Sequence, residues 1–219
     1  VLKDVLADSE YNQYAFYLLN DPTIYAYAFF RNPDGSPVKL FPYQDIIIND
    51  SHPRIIFVAA NQIGKSFDLR VKAVHYALKN PGVTVIMSSK TFTQSKELLL
   101  QIKNMLNLAV LDYRYDIGEF ETKTEIYFKH FEEVEEPDAT GKIVPVQKEL
   151  RESRIICVPA TEAALGYAAD LFLLDELAFY DDGRYFYFQI AQPRTYATKG
   201  QIMVFSNPNG QQGVFWELF

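Results

Sequence analysis

The stretch AANQIGKS, residues 59–66, decides how the rest of the chain is interpreted. It matches the phosphate-binding pattern G-x-x-x-x-G-K-[ST] at Gly64, Lys65 and Ser66, with Ala59 at the position of the first glycine. Alanine is tolerable there if the residue needs no positive φ. The other interpretation is a polar surface loop that happens to end in Gly-Lys-Ser, so the neighbouring sequence has to distinguish the two.

The context of this loop favours a phosphate site. The apolar run RIIFVAA (54–60) predicts a strand buried on both faces, and residues 67–79 predict a helix. In the order strand, loop, helix, the loop N–H groups and the helix N-terminus converge on an anion. Lys65 would then reach the terminal phosphates of a nucleotide, and the Ser66 hydroxyl would bind Mg²⁺.

Two further apolar runs end in polar side chains suited to phosphate chemistry. LFLLDE (171–176) places Asp175 and Glu176 at the end of a buried strand, where α/β sheets bind ligands. Asp175 is expected to hold Mg²⁺, and Glu176 to orient or deprotonate an attacking water. MVFSNPNG brings Ser206 and Asn207 to the end of another strand, where they could contact the γ-phosphate or the water and report hydrolysis.

The order of elements predicts an α/β fold with a mostly parallel sheet flanked by helices. Asp8 or Ser9 could cap a first helix, and residues 130–141 are expected to form an acidic, solvated loop or excursion. An alternating pattern predicts an antiparallel hairpin excursion around 111–130. Further strands are predicted at 83–89, 153–160, 170–176 and 201–208, and further helices at 22–30, 91–107 and 183–194.

Composition narrows the class of protein. The 219 residues are enough for one domain or slightly more, and 48% hydrophobic with 22% charged residues is typical of a soluble globular chain. No apolar stretch approaches the roughly 20 residues of a membrane span. The net charge of −7 argues against coating nucleic acid with the whole surface. Cys157 is predicted to be buried and inert, and His52, His75 and His130 lack metal-ligand spacing.

One glutamine upstream is a candidate for base recognition. Gln44, in LFPYQD, precedes the phosphate-loop strand. Its amide can donate and accept at once, which suits the N6/N7 edge of adenine, although a surface role is equally common.

In this order and spacing, FPYQ, AANQIGKS, DLFLLDELAF and VFSNP resemble the ATPase domain of the large terminase subunit of tailed bacteriophages, from about residue 40 to the end. The resemblance implies a P-loop NTPase of the RecA-like (ASCE) kind, with residues 41–219 as the ATPase domain and 1–40 as a helical segment packed on it. It implies ATP hydrolysis that drives double-stranded DNA into a procapsid in the host cytoplasm. Portal protein, small terminase subunit and further copies in a ring are the implied partners. A nuclease domain is expected to follow in the whole protein.

The resemblance also implies roles for individual residues. Lys65, Asp175 and Glu176 are the catalytic residues, Ser66 and Asp175 hold Mg²⁺, and Ser206 and Asn207 form a coupling motif. The nucleotide-binding set is Gln44, Ala60, Asn61, Gln62, Ile63, Gly64, Lys65, Ser66 and Phe67.

The chain departs from its relatives in its arginines. Some relatives carry an arginine within the phosphate loop, where this chain has Asn61 and Gln62, and others have Arg-Gly where it has Leu165-Gly166. The arginine that stabilises charge in the transition state is therefore unassigned. The candidates are Arg151, Arg154, Arg184 and Arg194.

Two other functions stay open at this point. A RecA-like helicase or translocase core also combines an upstream Gln, a GKS and an acidic strand end, but it needs a second domain of the same type. A non-hydrolysing nucleotide-binding module is motivated by Ala59, and the intact Lys65, Ser66, Asp175 and Glu176 argue against it.

Overall fold

The computed structural model describes residues 19–111, 115–119, 124–137 and 141–219. The helix expected to begin at Asp8 or Ser9 lies outside the described residues. Within them, none of the helices combines the length and the apolar composition needed to cross a bilayer.

A seven-stranded sheet forms the centre of the molecule, in the order β1-β9-β8-β2-β7-β4-β3. The first five strands in this order are parallel, and β4 and β3 continue the sheet as an antiparallel hairpin. The fold class predicted from the sequence is thereby confirmed. A separate two-stranded sheet pairs β5 with β6. The strands are β1 Arg54–Val58, β2 Thr84–Ser89, β3 Tyr115–Glu119, β4 Thr124–Phe128, β5 Phe131–Pro137, β6 Ile143–Glu149, β7 Ser153–Pro159, β8 Leu171–Asp175 and β9 Gln201–Ser206.

The helices begin where the sequence supplies capping groups. The Asp21 carboxylate accepts the N–H groups of Thr23 (2.8 Å) and Ile24 (3.0 Å) at the start of α1. Thr91 and Gln94 form a reciprocal capping box at the start of α4. The long helices are α1 Pro22–Phe29, α2 Pro42–Asn49, α3 Lys65–Lys79 and α4 Phe92–Leu108, and three consecutive segments follow, Gly183–Tyr185, the π-helical Phe186–Ala191 and Gln192–Tyr196. A C-terminal helix spans Gly213–Leu218.

The sheet separates two hydrophobic cores because alternate side chains of a strand point to opposite faces. On β8, Leu171 and Leu173 pack with α1 to α4, whereas Phe172 and Leu174 pack with the 183–196 helical segment and the C-terminal helix. Burial of both faces explains why the central strands read as continuous apolar runs.

Two expectations about the edges of the fold were wrong in detail. The phosphate-loop strand β1 is at the edge of the sheet and only half-buried, because a single neighbour, β9, covers it. The acidic stretch after residue 130 contains strand β5, which pairs with β6 in an exposed hairpin. Four glutamates and a proline hide this strand from a pattern search, since such residues are depleted in strands.

Helices α1 and α2 are fastened to α3 by buried polar groups. Lys72 Nζ donates to the Ile48 carbonyl at 2.6 Å, and His75 Nε2 lies 2.9 Å from the Leu19 carbonyl. Burial lowers the pKa of Lys72 to about 8 and that of His75 to about 4. Cys157 is fully buried on β7, and burial raises the pKa of its thiol to about 12, so it is inert as the sequence indicates.

Candidate nucleotide-binding and catalytic site

The functional side chains predicted from separate stretches meet at one edge of the sheet. Strands β1, β9 and β8 are adjacent and parallel, so their carboxyl ends lie side by side. The phosphate loop follows β1, Asp175 and Glu176 end β8, and Ser206 and Asn207 end β9. Strand β9 lies between the other two and brings Ser206 and Asn207 between the loop and the carboxylates.

The phosphate loop has the backbone shape of an anion cradle. Gln62 (φ 62°) and Gly64 (φ 92°) are left-handed on either side of Ile63, which turns successive N–H groups inward. A Cβ at Gly64 would lie 2.7 Å from Gln44 Nε2, so glycine is required there for its conformation and for space. Ala59 is not among the positive-φ residues, which explains why alanine can replace the first glycine.

Lys65 is held at the centre of the site by four oxygen atoms. Its side chain is 5% exposed, and Nζ donates to the carbonyls of Ala60 (2.8 Å) and Ala59 (3.3 Å) and to Asn207 Oδ1. Glu176 Oε1 lies 3.5 Å away. The Asn207 amide also donates to Asn61 Oδ1. Without nucleotide, the ammonium group is thus bonded to the residues that a phosphate would have to displace.

Ser66 and Asp175 form a pair of oxygen ligands suited to a magnesium ion. The Ser66 hydroxyl donates to Asp175 Oδ2 at 2.9 Å, and Asp175 Oδ1 is buried with no hydrogen-bond partner in the described structure. Burial raises the pKa of Asp175 to about 6, against the lowering effect of the Ser66 hydroxyl. No group of three His, Cys, Asp or Glu among the described residues could hold a metal alone. This fits Mg²⁺, which takes one or two protein ligands and completes its shell with waters and phosphates.

Glu176 has a strained backbone that aims its side chain at the end of β9. Its φ of 61° and ψ of 42° are left-handed, which is uncommon for a residue other than glycine. Its Oε2 accepts the Asn207 N–H at 3.0 Å and lies 3.2 Å from the Ser206 hydroxyl. Strain of this kind persists where surrounding contacts fix it and concentrates at functional sites. The carboxylate is 30% exposed and remains open to solvent.

A pocket of about 560 Å³ flanks the loop on the side away from these carboxylates. Gln44 lies at its wall and is 4% exposed; Nε2 donates to Asp68 Oδ1 at 2.6 Å, and Oε1 accepts the Phe41 N–H at 2.7 Å. Phe41 is 63% exposed and stacks on Tyr43, whose hydroxyl donates to the Ile63 carbonyl at 2.6 Å. Helix α2 therefore supports the phosphate loop and also provides an aromatic rim for the pocket.

Asp68 is a buried carboxyl group that pattern reading missed. It is fully buried in the first turns of α3, and its Oδ2 has no hydrogen-bond partner in the described residues. Burial raises its pKa to about 7, and the Gln44 amide lowers it. A polar residue after GKS looks like a surface position in the sequence, and the Gln44 contact 24 positions away gives no local signal.

Comparison with known proteins assigns the family. The family described as "Terminase large subunit, T4likevirus-type, N-terminal" matches residues 56–217, roughly three quarters of the chain. The chain belongs to the terminase large-subunit family. The resemblance carried by the four sequence motifs is confirmed. No curated protein sequence matches the chain.

Solved structures of large terminases share the fold of this terminase chain. The ATPase domain of the Thermus phage P74-26 large terminase is 19% identical with a TM-score of 0.61, covering 83% of this chain and 69% of that one. The bacteriophage HK97 large terminase is 14% identical with a TM-score of 0.60, covering 86% of this chain and 37% of its own. The large terminase of another, thermophilic bacteriophage, solved in complex with ATP-γ-S, gives 15% and 0.54, covering 76% of this chain and 36% of its own. The chain therefore spans well under half of those two proteins.

The four arginines proposed from the terminase sequence are engaged away from this site. Arg154 lies over the Tyr167 ring (5.0 Å) at the start of β7, at the opposite edge of the sheet, and Arg184 pairs with Glu217. Arg194 donates to the Leu165 carbonyl, and Arg151 packs against Gly82. An arginine that the sequence did not single out, Arg70, lies beside Ser66.

Proposed function

We propose that this terminase chain hydrolyses Mg·ATP at the edge of the sheet formed by β1, β9 and β8, and that hydrolysis powers movement of double-stranded DNA into a viral procapsid. The observation that carries the proposal is the convergence of Lys65, Asp175 and Glu176 on one cradle. A non-hydrolysing module has no need of Glu176, a solvent-open carboxylate fixed in a strained conformation beside the phosphate loop.

Each residue has a role that follows from its position. The loop N–H groups and Lys65 bind the phosphates, and the ammonium group stabilises negative charge that builds up in the transition state. Ser66 and Asp175 would hold Mg²⁺, which neutralises charge on the terminal phosphates when bound. Glu176 accepts a proton from the attacking water once its contact with Lys65 has been replaced.

The nucleotide is oriented with its base in the pocket beside α2. From there the phosphates cross the loop toward a smaller pocket of about 210 Å³, lined by Ser66, Asp175 and Glu176. Gln44 is proposed to read the adenine edge: its amide retains a second N–H and a second lone pair beyond the two bonds it makes in the protein. Phe41 offers a flat apolar surface at the rim of the same pocket.

Ser206 and Asn207 are proposed to couple hydrolysis to movement. Asn207 contacts Asn61 in the loop, Lys65 and Glu176 together, so a change at the terminal phosphate alters its bonding. Residues 41–219 would act as the ATPase domain and 1–40 as a helical segment packed on it. DNA, portal protein and small terminase subunit are the proposed partners, in the host cytoplasm. Several copies in a ring would offset the net charge of −7, since each contributes only a modest basic patch.

The proposal is tested by phosphate release from ATP at saturating Mg²⁺ and in EDTA. Wild-type chain should release phosphate only with Mg²⁺, and Asp175→Asn should lose both Mg²⁺-dependent nucleotide binding and turnover. Asp181→Asn is the matched control, because Asp181 is 90% exposed and bonded to Lys90 rather than to the site. Nucleotide binding without turnover, in concentrated protein with DNA, would instead assign the chain as a binding module.

A further inference from the structure

Arg70 occupies the face of α3 that looks onto the metal end of the site. It lies four residues after Ser66, one helical turn away on the same face. Helical side chains lean toward the N-terminus, and Arg70 Nε accordingly donates to the Ser66 carbonyl at 3.1 Å. The guanidinium Cζ lies 5.4 Å from the centre of the Phe67 ring. These contacts hold the charged group beside the residue proposed to bind Mg²⁺.

The guanidinium group also fastens α3 to the wall of the catalytic pocket. Its Nη1 donates to Gln101 Oε1, and Gln101 Nε2 donates to Glu97 Oε1 at 2.8 Å. Gln101 and Glu97 lie on α4 and line the 210 Å³ pocket together with Ser66 and Asp175. A chain of hydrogen bonds therefore runs from the phosphate-loop helix to the opposite wall.

Arg70 carries a half-buried charge that no carboxylate pairs directly. Within the described part of the chain, none lies within 4.0 Å of it, and its hydrogen bonds go to a carbonyl and an amide. Burial lowers the pKa of Arg70, and the more distant Asp175, Glu97 and Asp68 oppose that effect. Buried charges are normally paired, so a cation held by neutral acceptors next to an anion-binding pocket indicates that an anion completes its environment.

We propose that Arg70 acts in cis as the arginine of this ATPase site, a positioning residue whose charge favours the terminal phosphate and whose tether to Gln101 fixes the α4 wall. The proposal rests on the proposed nucleotide binding and adds a residue that no relative or sequence pattern assigned. The charge discriminates between nucleotides because Arg70 lies at the Ser66 end of the loop, away from the base pocket. Only ATP places a third phosphate at this end, and Coulomb attraction falls with distance, so ADP gains less from it.

The test is the ratio of affinities for a non-hydrolysable ATP analogue and for ADP, measured by titration with Mg²⁺ present. Arg70→Met should reduce the preference for the triphosphate by about tenfold while leaving ADP affinity within about twofold of wild type. Arg70→Lys keeps the charge and should preserve the preference, but it loses the fork that bonds Ser66 and Gln101 together, so kcat should fall with little change in KM. Arg154→Met is the matched control: a half-buried arginine over an aromatic ring at the opposite edge of the sheet, whose loss should change neither.

The outcomes separate this inference from the proposed function. Wild-type chain that binds neither nucleotide overturns both. Wild-type chain that prefers the triphosphate, with an Arg70→Met variant that prefers it equally, overturns the role of Arg70 alone. An Arg70→Lys variant as defective in the ratio as Arg70→Met shows that charge is not the cause. If Arg70→Met does not fold by circular dichroism, Arg70→Gln, which can still donate to the Ser66 carbonyl, takes its place with the same expected ratio.

Discussion

Replacing Glu176 by glutamine should separate nucleotide binding from hydrolysis. Glutamine keeps an oxygen to accept the Asn207 N–H, which Glu176 accepts at 3.0 Å, and it leaves the left-handed backbone unchanged. It removes the only group at the strand end that can take a proton from water. Loss of a general base lowers turnover by about 10²-fold or more.

The same change should strengthen nucleotide binding by an amount that the geometry sets. In the free protein, Glu176 Oε1 lies 3.5 Å from Lys65 Nζ, with the glutamate side chain 30% exposed. A partly solvated ion pair of this kind is worth about 1 kcal/mol. A phosphate must displace this contact, so its absence should tighten binding by roughly fivefold.

The assay is a titration with a fluorescent ATP analogue, together with steady-state phosphate release. Glu162→Gln serves as the control, since Glu162 is exposed and contacts Tyr185 far from the loop. Turnover within threefold of wild type would refute the role of Glu176 as the base. Binding weakened tenfold would refute the idea that Glu176 competes with phosphate for Lys65.

Three further predictions concern the base pocket, the buried carboxyl group and assembly. Gln44→Ala should raise the KM for ATP and relax discrimination against GTP by about tenfold; equal weakening of tripolyphosphate, which has no base, would show that Gln44 only supports the loop. The folded-state pKa of Asp68, about 7, exceeds the ordinary 3.8, so folded protein binds the extra proton between these values and wild-type stability falls as pH rises through that window. Asp68→Asn lacks this term, and urea unfolding at pH 5 and pH 8 should show it gaining on wild type at the higher pH; a pH-independent difference would contradict the shift. Specific ATPase activity should rise with protein concentration and with DNA if copies assemble into a ring, and flat, high activity at all dilutions would mean that the single chain holds a complete site.

The residues at the ends of strands could be predicted from the sequence because each motif carries its own context. GKS follows an apolar run, and so do Asp175 and Ser206, and the carboxyl ends of parallel strands share one edge. What the sequence did not contain was the order of the strands. Strand β9, the last in the chain, lies between β1 and β8, and this long-range pairing is what places Asn207 against Lys65.

The missed residues depend on contacts between elements that are distant in the chain. Arg70 could have been found from its spacing, since residues four apart share a helix face and Ser66 was already assigned. Its partner Gln101 lies 31 positions away on α4, and nothing local links the two. The hairpin of β5 and β6 was missed because its glutamates favour solvent, and in the structure they are exposed on a strand that pairs only with β6.

Phosphate release by wild type and by Lys65→Ala tests the central claim most directly. Both proteins should be measured at high concentration with Mg·ATP and double-stranded DNA, after circular dichroism shows that the variant is folded. Lys65 Nζ lies among the Ala59 and Ala60 carbonyls, Asn207 and Glu176, where the phosphates have to bind. The expected result is release by wild type and a loss of about 10²-fold or more in the variant, with nucleotide binding weakened less than turnover. Near-wild-type release by Lys65→Ala would contradict the assignment of residues 59–66 as the phosphate loop of an ATPase.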